Sequence, residues 1–135
     1  MKVLVSGNFD PFHYVHLDYI KKASKLGDFL IAVVSSDEQV VKKKGKFNEP
    51  AQDRVEILDW ILTGLQVPHV TLINTWDRET THITNALEFI KPDILCRGTD
   101  KNAEDMPEDE KKACDELGIQ IVHIKGKIVH GSEFT

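Results

Sequence analysis

Short apolar runs typical of strands alternate with helical segments along the whole chain. The strand-like runs are rich in valine, isoleucine and leucine, and the segments between them carry apolar residues three and four positions apart. The predicted strands are Lys2 to Ser6, Phe29 to Ser35, His69 to Asn74, Asp93 to Arg97 and Gln120 to Ile124; the predicted helices are Leu17 to Leu26, Gln52 to Thr63, Thr81 to Ile90 and Glu108 to Leu117. This alternation requires parallel strands joined by crossovers, so we predict an α/β fold with five parallel strands and helices on both faces.

The length of 135 residues predicts one domain, 1–135, in a doubly wound, Rossmann-like arrangement. Ligands of such sheets bind beyond the carboxyl ends of the strands. The final residues, 131–135, stand apart, because Gly131-Ser132-Glu133-Phe134 is also what two adjacent cloning sites encode. The sequence leaves open whether this tail is native.

Charge and composition exclude several classes of protein. The formal net charge of −5 argues against a general nucleic-acid binder. No apolar run is long enough to span a membrane, and the amino terminus has no signal-peptide core, so we expect a cytoplasmic protein that binds no membrane. Cys96 and Cys114 form neither a CxxC pair nor a metal spacing, which predicts two reduced, structural thiols.

The segment GNFDPFHYVH, residues 7–16, follows the first predicted strand. The chain has no GxGxxG after that strand and no GxxxxGK[ST], so a phosphate site would need other donors. His13 and His16 are three residues apart where a helix begins, near Val15 or His16, and both rings could face an anion at the helix amino end. Two other interpretations stay open: capping or solvated histidines, and half of a zinc site.

Residues 7–16 resemble the GTFDxxHxGH signature of the cytidylyltransferase-like nucleotidyltransferases. Three further segments are similar to parts of glycerol-3-phosphate cytidylyltransferases and heptose-1-phosphate adenylyltransferases, in the same order. They are LGDFLIAVVSSDE at 26–38, Lys44-Gly45-Lys46 followed by Asp53-Arg54, and DILCRGTD at 93–100. The likeness covers nearly the whole chain.

Two departures from the family pattern stand out. Val15 replaces the glycine between the histidines, and two γ-methyl groups there predict crowding of the ligand. At the carboxyl end, Lys127 stands for the arginine of RTxGISTT and Ser132 for its first hydroxyl, which keeps the charge but loses the bidentate fork. Asn8, in place of threonine, keeps a short polar side chain.

The resemblance implies that a substrate phosphate attacks the α-phosphorus of a nucleoside triphosphate and releases pyrophosphate. The leading interpretation is transfer of CMP from CTP to a small phosphorylated alcohol such as glycerol 3-phosphate. The alternatives are an adenylyltransferase that uses ATP and a heptose 1-phosphate, and a non-catalytic nucleotide-binding domain. Family members are commonly homodimers, which we expect here too.

The resemblance also assigns residues. The implied catalytic residues are His13, His16, Lys44 and Arg54. The implied nucleotide-binding residues are Gly7, Asn8, Phe9, Asp10, Lys46, Trp76, Arg97, Gly98, Asp100, Lys127 and Ser132. Mg²⁺ is the implied cofactor, held by the phosphates and by Asp10 directly or through water. Without the resemblance, Lys42 to Lys44 and Lys46 indicate a solvated loop, and Trp76 is equally consistent with packing at the rim.

Overall fold

The computed structural model describes residues 1–98 and 106–125, and within them five strands form a single parallel sheet. The order across the sheet is β3-β2-β1-β4-β5. The strands are β1 (Lys2–Gly7), β2 (Phe29–Val34), β3 (His69–Ile73), β4 (Ile94–Arg97) and β5 (Gln120–His123). The predicted fold class is therefore confirmed, with each strand within one or two residues of its predicted bounds.

Five helices connect these strands in the described part of the chain. They are α1 (Tyr14–Ser24), α2 (Asp37–Lys44), α3 (Ala51–Gly64), α4 (Thr84–Ile90) and α5 (Glu108–Leu117). Alternate strand residues divide the core into two clusters, as a pleated strand requires. Val3 and Val5 pack with α1 and α3 on one face, whereas Leu4 packs with α4 and α5 on the other. The sheet is thus covered on both faces.

Helix α2 is missing from the sequence prediction, and the interpretation of Lys42 to Lys44 as a loop is wrong. These lysines form the last turn of α2, where positive charge is favourable. Ser36 and Gln39 close the amino end as a capping box, and Gly45 ends the helix with a φ of 84°, in the left-handed region. These caps are readable in the sequence, but the eight residues of α2 bury only Gln39 and Val40, so an apolar helical period is absent from them.

The strand order brings the sequence motifs together at the carboxyl end of the sheet. The chain leaves β1 for β2 on one side, and β4 lies on the other side of β1, so the order reverses between β1 and β4. Such a reversal opens a crevice beyond the carboxyl ends of these strands. The loop after Gly7 and the residues after Arg97 both start there. In the described residues, no helix is long and apolar enough to cross a membrane.

Candidate active site

The loop after β1 turns sharply into α1. Phe9 has a φ of 49° and is buried, so its ring lies beneath the loop. A Cβ atom added to Gly7 would lie 3.2 Å from the Phe9 ring, which makes glycine the residue that allows this close packing. The Gly7 carbonyl accepts a hydrogen bond of 2.9 Å from the Ser35 amide, which joins the ends of β1 and β2.

His13 and His16 lie together at the amino end of α1. His13 is the N-cap residue and Tyr14 begins the helix, one or two residues before the start expected near Val15 or His16 and three before the predicted Leu17 to Leu26. The two imidazole rings are 5.8 Å apart, centroid to centroid, and nearly parallel. The structure therefore brings the predicted pair to a helix amino end, where backbone N–H groups and the helix dipole favour an anion.

A backbone hydrogen bond fixes which nitrogen of His16 carries the proton. The His13 N–H donates to His16 Nδ1 at 2.9 Å, so Nδ1 is an acceptor and the neutral ring carries its hydrogen on Nε2. Phe9 meets the ring edge-on at 5.2 Å, and the Phe12 centroid is 5.5 Å away. His16 is thus a neutral N–H donor with a fixed orientation.

Arg54 is a buried arginine that is hydrogen-bonded to four groups of the protein. Its side chain has 0% exposure, although arginine is rarely buried without several partners. Nε donates to the Glu49 carbonyl, Nη1 donates to the carbonyls of Asn8 and Ser35, and Nη2 pairs with the Asp37 carboxylate; all four distances are 2.7–2.8 Å. Direct contact of Arg54 with a phosphate stays a prediction, and it would require these loops to move.

Asp10 is buried and accepts two backbone hydrogen bonds. Its Oδ2 accepts from the Asn48 amide at 2.7 Å and its Oδ1 from the Glu49 amide at 2.8 Å. The carboxylate therefore fixes the chain just before α3. Metal binding by Asp10 stays a prediction that would have to use the remaining lone pairs.

The lysine segment, defined as residues 44–50, runs from the last residue of α2 to the residue before α3. Lys44 and Lys46 are exposed. Lys43, which the sequence does not single out, lies nearer the first motif, residues 7–16: its Nζ is 3.4 Å from Asn8 Oδ1. The resemblance to a Lys-Gly-Lys segment points to Lys44 and Lys46 and not to Lys43. On a helix such as α2, three successive lysines face different directions, so one of them can face the first motif while the others do not.

Trp76 lies beyond β3, at the side of the sheet away from β4. Its ring packs on Phe89 of α4 with centroids 5.2 Å apart. It also lines a pocket of about 260 Å³ together with Arg78 and Asn85. Strands are spaced about 4.8 Å apart, so three spacings separate β3 from β4. Stacking of Trp76 on a base stays a prediction. The alternative, that Trp76 packs at the rim of the protein, is supported by its contact with Phe89.

Arg97 and Gly98 lie where β4 ends, across the crevice from the first motif. Arg97 is half-buried and pairs in register with His123 of β5. The remaining predicted nucleotide-binding residues, Asp100, Lys127 and Ser132, lie outside the described residues. Val15 is half-buried in the first turn of α1, an ordinary helical position.

Burial raises the pKa values of two cysteines and of one glutamate. Burial raises the pKa of the Cys96 thiol to about 12, and burial together with the Glu110 charge raises that of Cys114 to about 11. Burial also raises the pKa of Glu110, which accepts from the Ile83 amide at 3.0 Å. These shifts leave both thiols protonated and unreactive, as expected of the structural cysteines that the sequence predicts.

Comparison with known proteins identifies the family. Residues 4–131 match the family model described as Cytidylyltransferase-like. The chain belongs to this family. It is 32% identical over 126 residues to the FAD synthase of Pyrococcus horikoshii, which covers 93% of this chain and 79% of the relative. It is also 34% identical over 98 residues to the bifunctional protein HldE of Campylobacter jejuni subsp. doylei, which covers 73% of this chain and 20% of the relative. The chain is a nucleotidyltransferase.

A solved structure supports the fold of this cytidylyltransferase-like chain. The lipopolysaccharide core biosynthesis protein of Thermoplasma volcanium GSS1 superposes with a TM-score of 0.68 at 23% identity, covering 96% of this chain and 98% of the other. The sheet and its helices are therefore shared almost from end to end.

Proposed function

We propose that this protein transfers AMP from ATP to the phosphate of an acceptor, with FMN as the first acceptor to test. The observation that carries the proposal is the alignment with relatives named FAD synthase, which covers 92–93% of this chain. FAD is FMN joined to AMP through its phosphate, so a relative with that name makes the same kind of bond.

CMP transfer to glycerol 3-phosphate is the second candidate. The resemblance of residues 26–38 and of Lys44-Gly45-Lys46 to glycerol-3-phosphate cytidylyltransferases favours it. A heptose 1-phosphate is a further acceptor that the resemblance of residues 93–100 suggests. All three reactions share one chemical step and differ in the base and the acceptor.

In that step, an oxygen of the acceptor phosphate attacks the α-phosphorus of the triphosphate. A new phosphorus–oxygen bond forms, the bond from the α-phosphorus to the bridging oxygen breaks, and pyrophosphate leaves with the electron pair. The nucleophile is already an anion, so no covalent enzyme intermediate is required. The protein has to align two anions and stabilise the charge that develops.

The residues of the crevice fit this task. We assign the neutral His16 Nε2–H and the His13 ring, at the amino end of α1, to the α-phosphate and the bridging oxygen. Lys44 and Lys46 supply exposed positive charge to the acceptor phosphate or to the β- and γ-phosphates. Arg97 and Gly98 form the opposite wall for the nucleotide.

Mg²⁺ fits the chemistry of the triphosphate, whose charge it would neutralise. No group of three or more histidine, cysteine or acidic side chains that could hold a metal ion occurs in residues 1–98 and 106–125. Magnesium needs no such group, because one carboxylate with phosphate oxygens and water suffices. The resemblance implies Asp10 as that carboxylate, although both of its oxygens already accept backbone amides. A homodimer belongs to the proposal as well; the exposed Trp60 of α3, at 70%, is consistent with an interface.

Pyrophosphate release tests the proposal. ATP and CTP would be supplied separately with Mg²⁺ and with FMN, glycerol 3-phosphate or heptose 1-phosphate. We expect release with ATP and FMN, and FAD as the product by fluorescence and mass. Release only with CTP and glycerol 3-phosphate would establish the second candidate. A thermal shift with a nucleotide but no release from any pair would favour a non-catalytic binding domain.

A further inference from the structure

We propose that Asp10 and Arg54 are positioning residues that hold the lysine segment, residues 44–50, on the loop after β1. Neither residue then meets the substrates directly. The role of the lysine segment in catalysis rests on the proposed function, whereas its attachment is a property of the fold that can be measured separately.

The first attachment is the Asp10 carboxylate. Both of its oxygens accept from successive amides of the lysine segment, at 2.7 and 2.8 Å, and the Asp10 carbonyl accepts from Asn48 Nδ2 at 3.4 Å. A carboxylate with 5% exposure that receives two backbone donors is satisfied where it lies. Its charge is used to fix the segment, which is a sufficient reason for an aspartate at this position without any metal ion.

The second attachment is the Arg54 guanidinium, which joins the same end of the segment to two strand ends. Nε donates to the Glu49 carbonyl, while Nη1 donates to Asn8 after β1 and Ser35 after β2. One planar fork thereby sets the distance between the lysine segment and the first motif. A lysine at this position would keep the charge but could not serve these carbonyls in one geometry.

Asp37 completes the attachment at the start of α3. Its Oδ1 accepts from Arg54 Nη2 at 2.7 Å and from the Ala51 amide at 2.8 Å. The lysine segment is thus held at its carboxyl end, by Asp10 at Asn48 and Glu49, and Asp37 fixes the next residue, Ala51. Lys44 and Lys46 project from a segment whose base is fixed.

Limited proteolysis tests the attachment without any assay of activity. Trypsin would cut after Lys44 and Lys46, and the products would be followed by mass spectrometry. We expect Asp10→Asn and Arg54→Lys to raise the rate of these cuts about tenfold or more, because each variant loses buried hydrogen bonds that hold the segment. Cleavage at the wild-type rate in both variants would overturn the proposal.

Asp77→Asn is the matched control. Asp77 has 4% exposure and also accepts from two successive amides, those of Asn85 and Ala86, but these belong to α4. The control variant should lose comparable global stability while cleavage after Lys44 and Lys46 changes by less than about threefold. An equal increase in Asp77→Asn would mean that global unfolding, not local release, exposes the segment, and would count against the proposal.

A second measurement uses the unmodified protein, in case the variants do not fold. Hydrogen exchange of the Asn48 and Glu49 amides should be at least about tenfold slower than in the unfolded chain. Exchange at the unfolded rate would overturn the attachment.

The magnesium dependence of turnover separates positioning from metal binding. If Asp10 positions the segment, the loss of pyrophosphate release in Asp10→Asn should be the same fraction at every Mg²⁺ concentration. Recovery of the variant at high Mg²⁺ would assign Asp10 to the metal and overturn the proposal. Absence of pyrophosphate release in the wild type would refute the proposed function but would leave the proteolysis and exchange results decisive.

Discussion

Replacement of His16 separates its two roles. In the structure, Nδ1 accepts the His13 N–H and caps α1, whereas Nε2 carries the hydrogen assigned to the phosphates. His16→Asn retains a side-chain oxygen that can accept the same N–H but has no donor that reaches as far as Nε2. His16→Ala removes the acceptor and the donor together.

The expected loss of activity follows from the donor. If Nε2–H acts like a removed oxyanion-hole donor, its loss raises the barrier by about 3 kcal/mol and lowers kcat roughly a hundredfold. Both variants should show this loss, because both lack the donor.

The expected loss of stability differs between the variants. His16→Ala loses the cap, worth about 1 kcal/mol, and the edge-on contact with Phe9, worth about 0.5–1.5 kcal/mol, so its free energy of unfolding should fall by about 2 kcal/mol. His16→Asn retains the cap and should lose about 1 kcal/mol.

Pyrophosphate release at saturating substrates and thermal unfolding followed by circular dichroism measure the two effects. His69→Asn is the control, because it makes the same substitution in a histidine that pairs with Asp59 at the amino end of β3, the opposite end of the sheet from the crevice. It should change kcat by less than about threefold. Activity of His16→Asn within tenfold of wild type would refute the assignment of Nε2–H to the reacting phosphate.

Three further predictions concern single groups. Val15→Gly should leave kcat equal or higher, if its γ-methyl groups crowd the ligand, and should cost about 0.5 kcal/mol of stability in α1; a large loss of turnover would show that the valine is required. Burial raises the pKa of Glu110, so the stability that its protonated carboxyl contributes is complete below the unfolded value of 4.5 and is lost as pH rises through the higher folded value. Urea unfolding should therefore show wild type losing stability relative to Glu110→Gln as pH rises above 4.5, and parallel pH profiles would contradict this. Cys96 and Cys114 should react with a thiol reagent at pH 8 only after denaturation, because burial raises their pKa values to about 12 and 11; rapid labelling of the native protein would contradict their burial.

The sequence predicts where the first motif lies, between β1 and α1, but it does not predict which protein groups Asp10 and Arg54 contact. His13 and His16 could be paired in advance, because a spacing of three at a helix start depends only on local geometry. The resemblance assigns Arg54 to catalysis, and an arginine at a helix start is unfavourable without an anion. The structure supplies that anion from within the protein, as Asp37, seventeen positions earlier in the chain.

Helix α2 shows a different kind of omission. Its caps, Ser36 with Gln39 and then Gly45, are readable in the sequence, but its polar composition hides its helical period. The same polar helix carries Lys43, whose Nζ lies 3.4 Å from Asn8 Oδ1.

The sequence by itself determined the α/β class, the strands to within one or two residues, and the histidine pair. These features depend on apolar periodicity and on neighbours within a few positions, and both are present in the amino-acid sequence itself. Only the tertiary structure decided that Arg54 and Asp10 point inward and that Trp76 packs on Phe89. A polar side chain accepts whichever partner folding brings within 3 Å, and partners distant in sequence leave no local pattern.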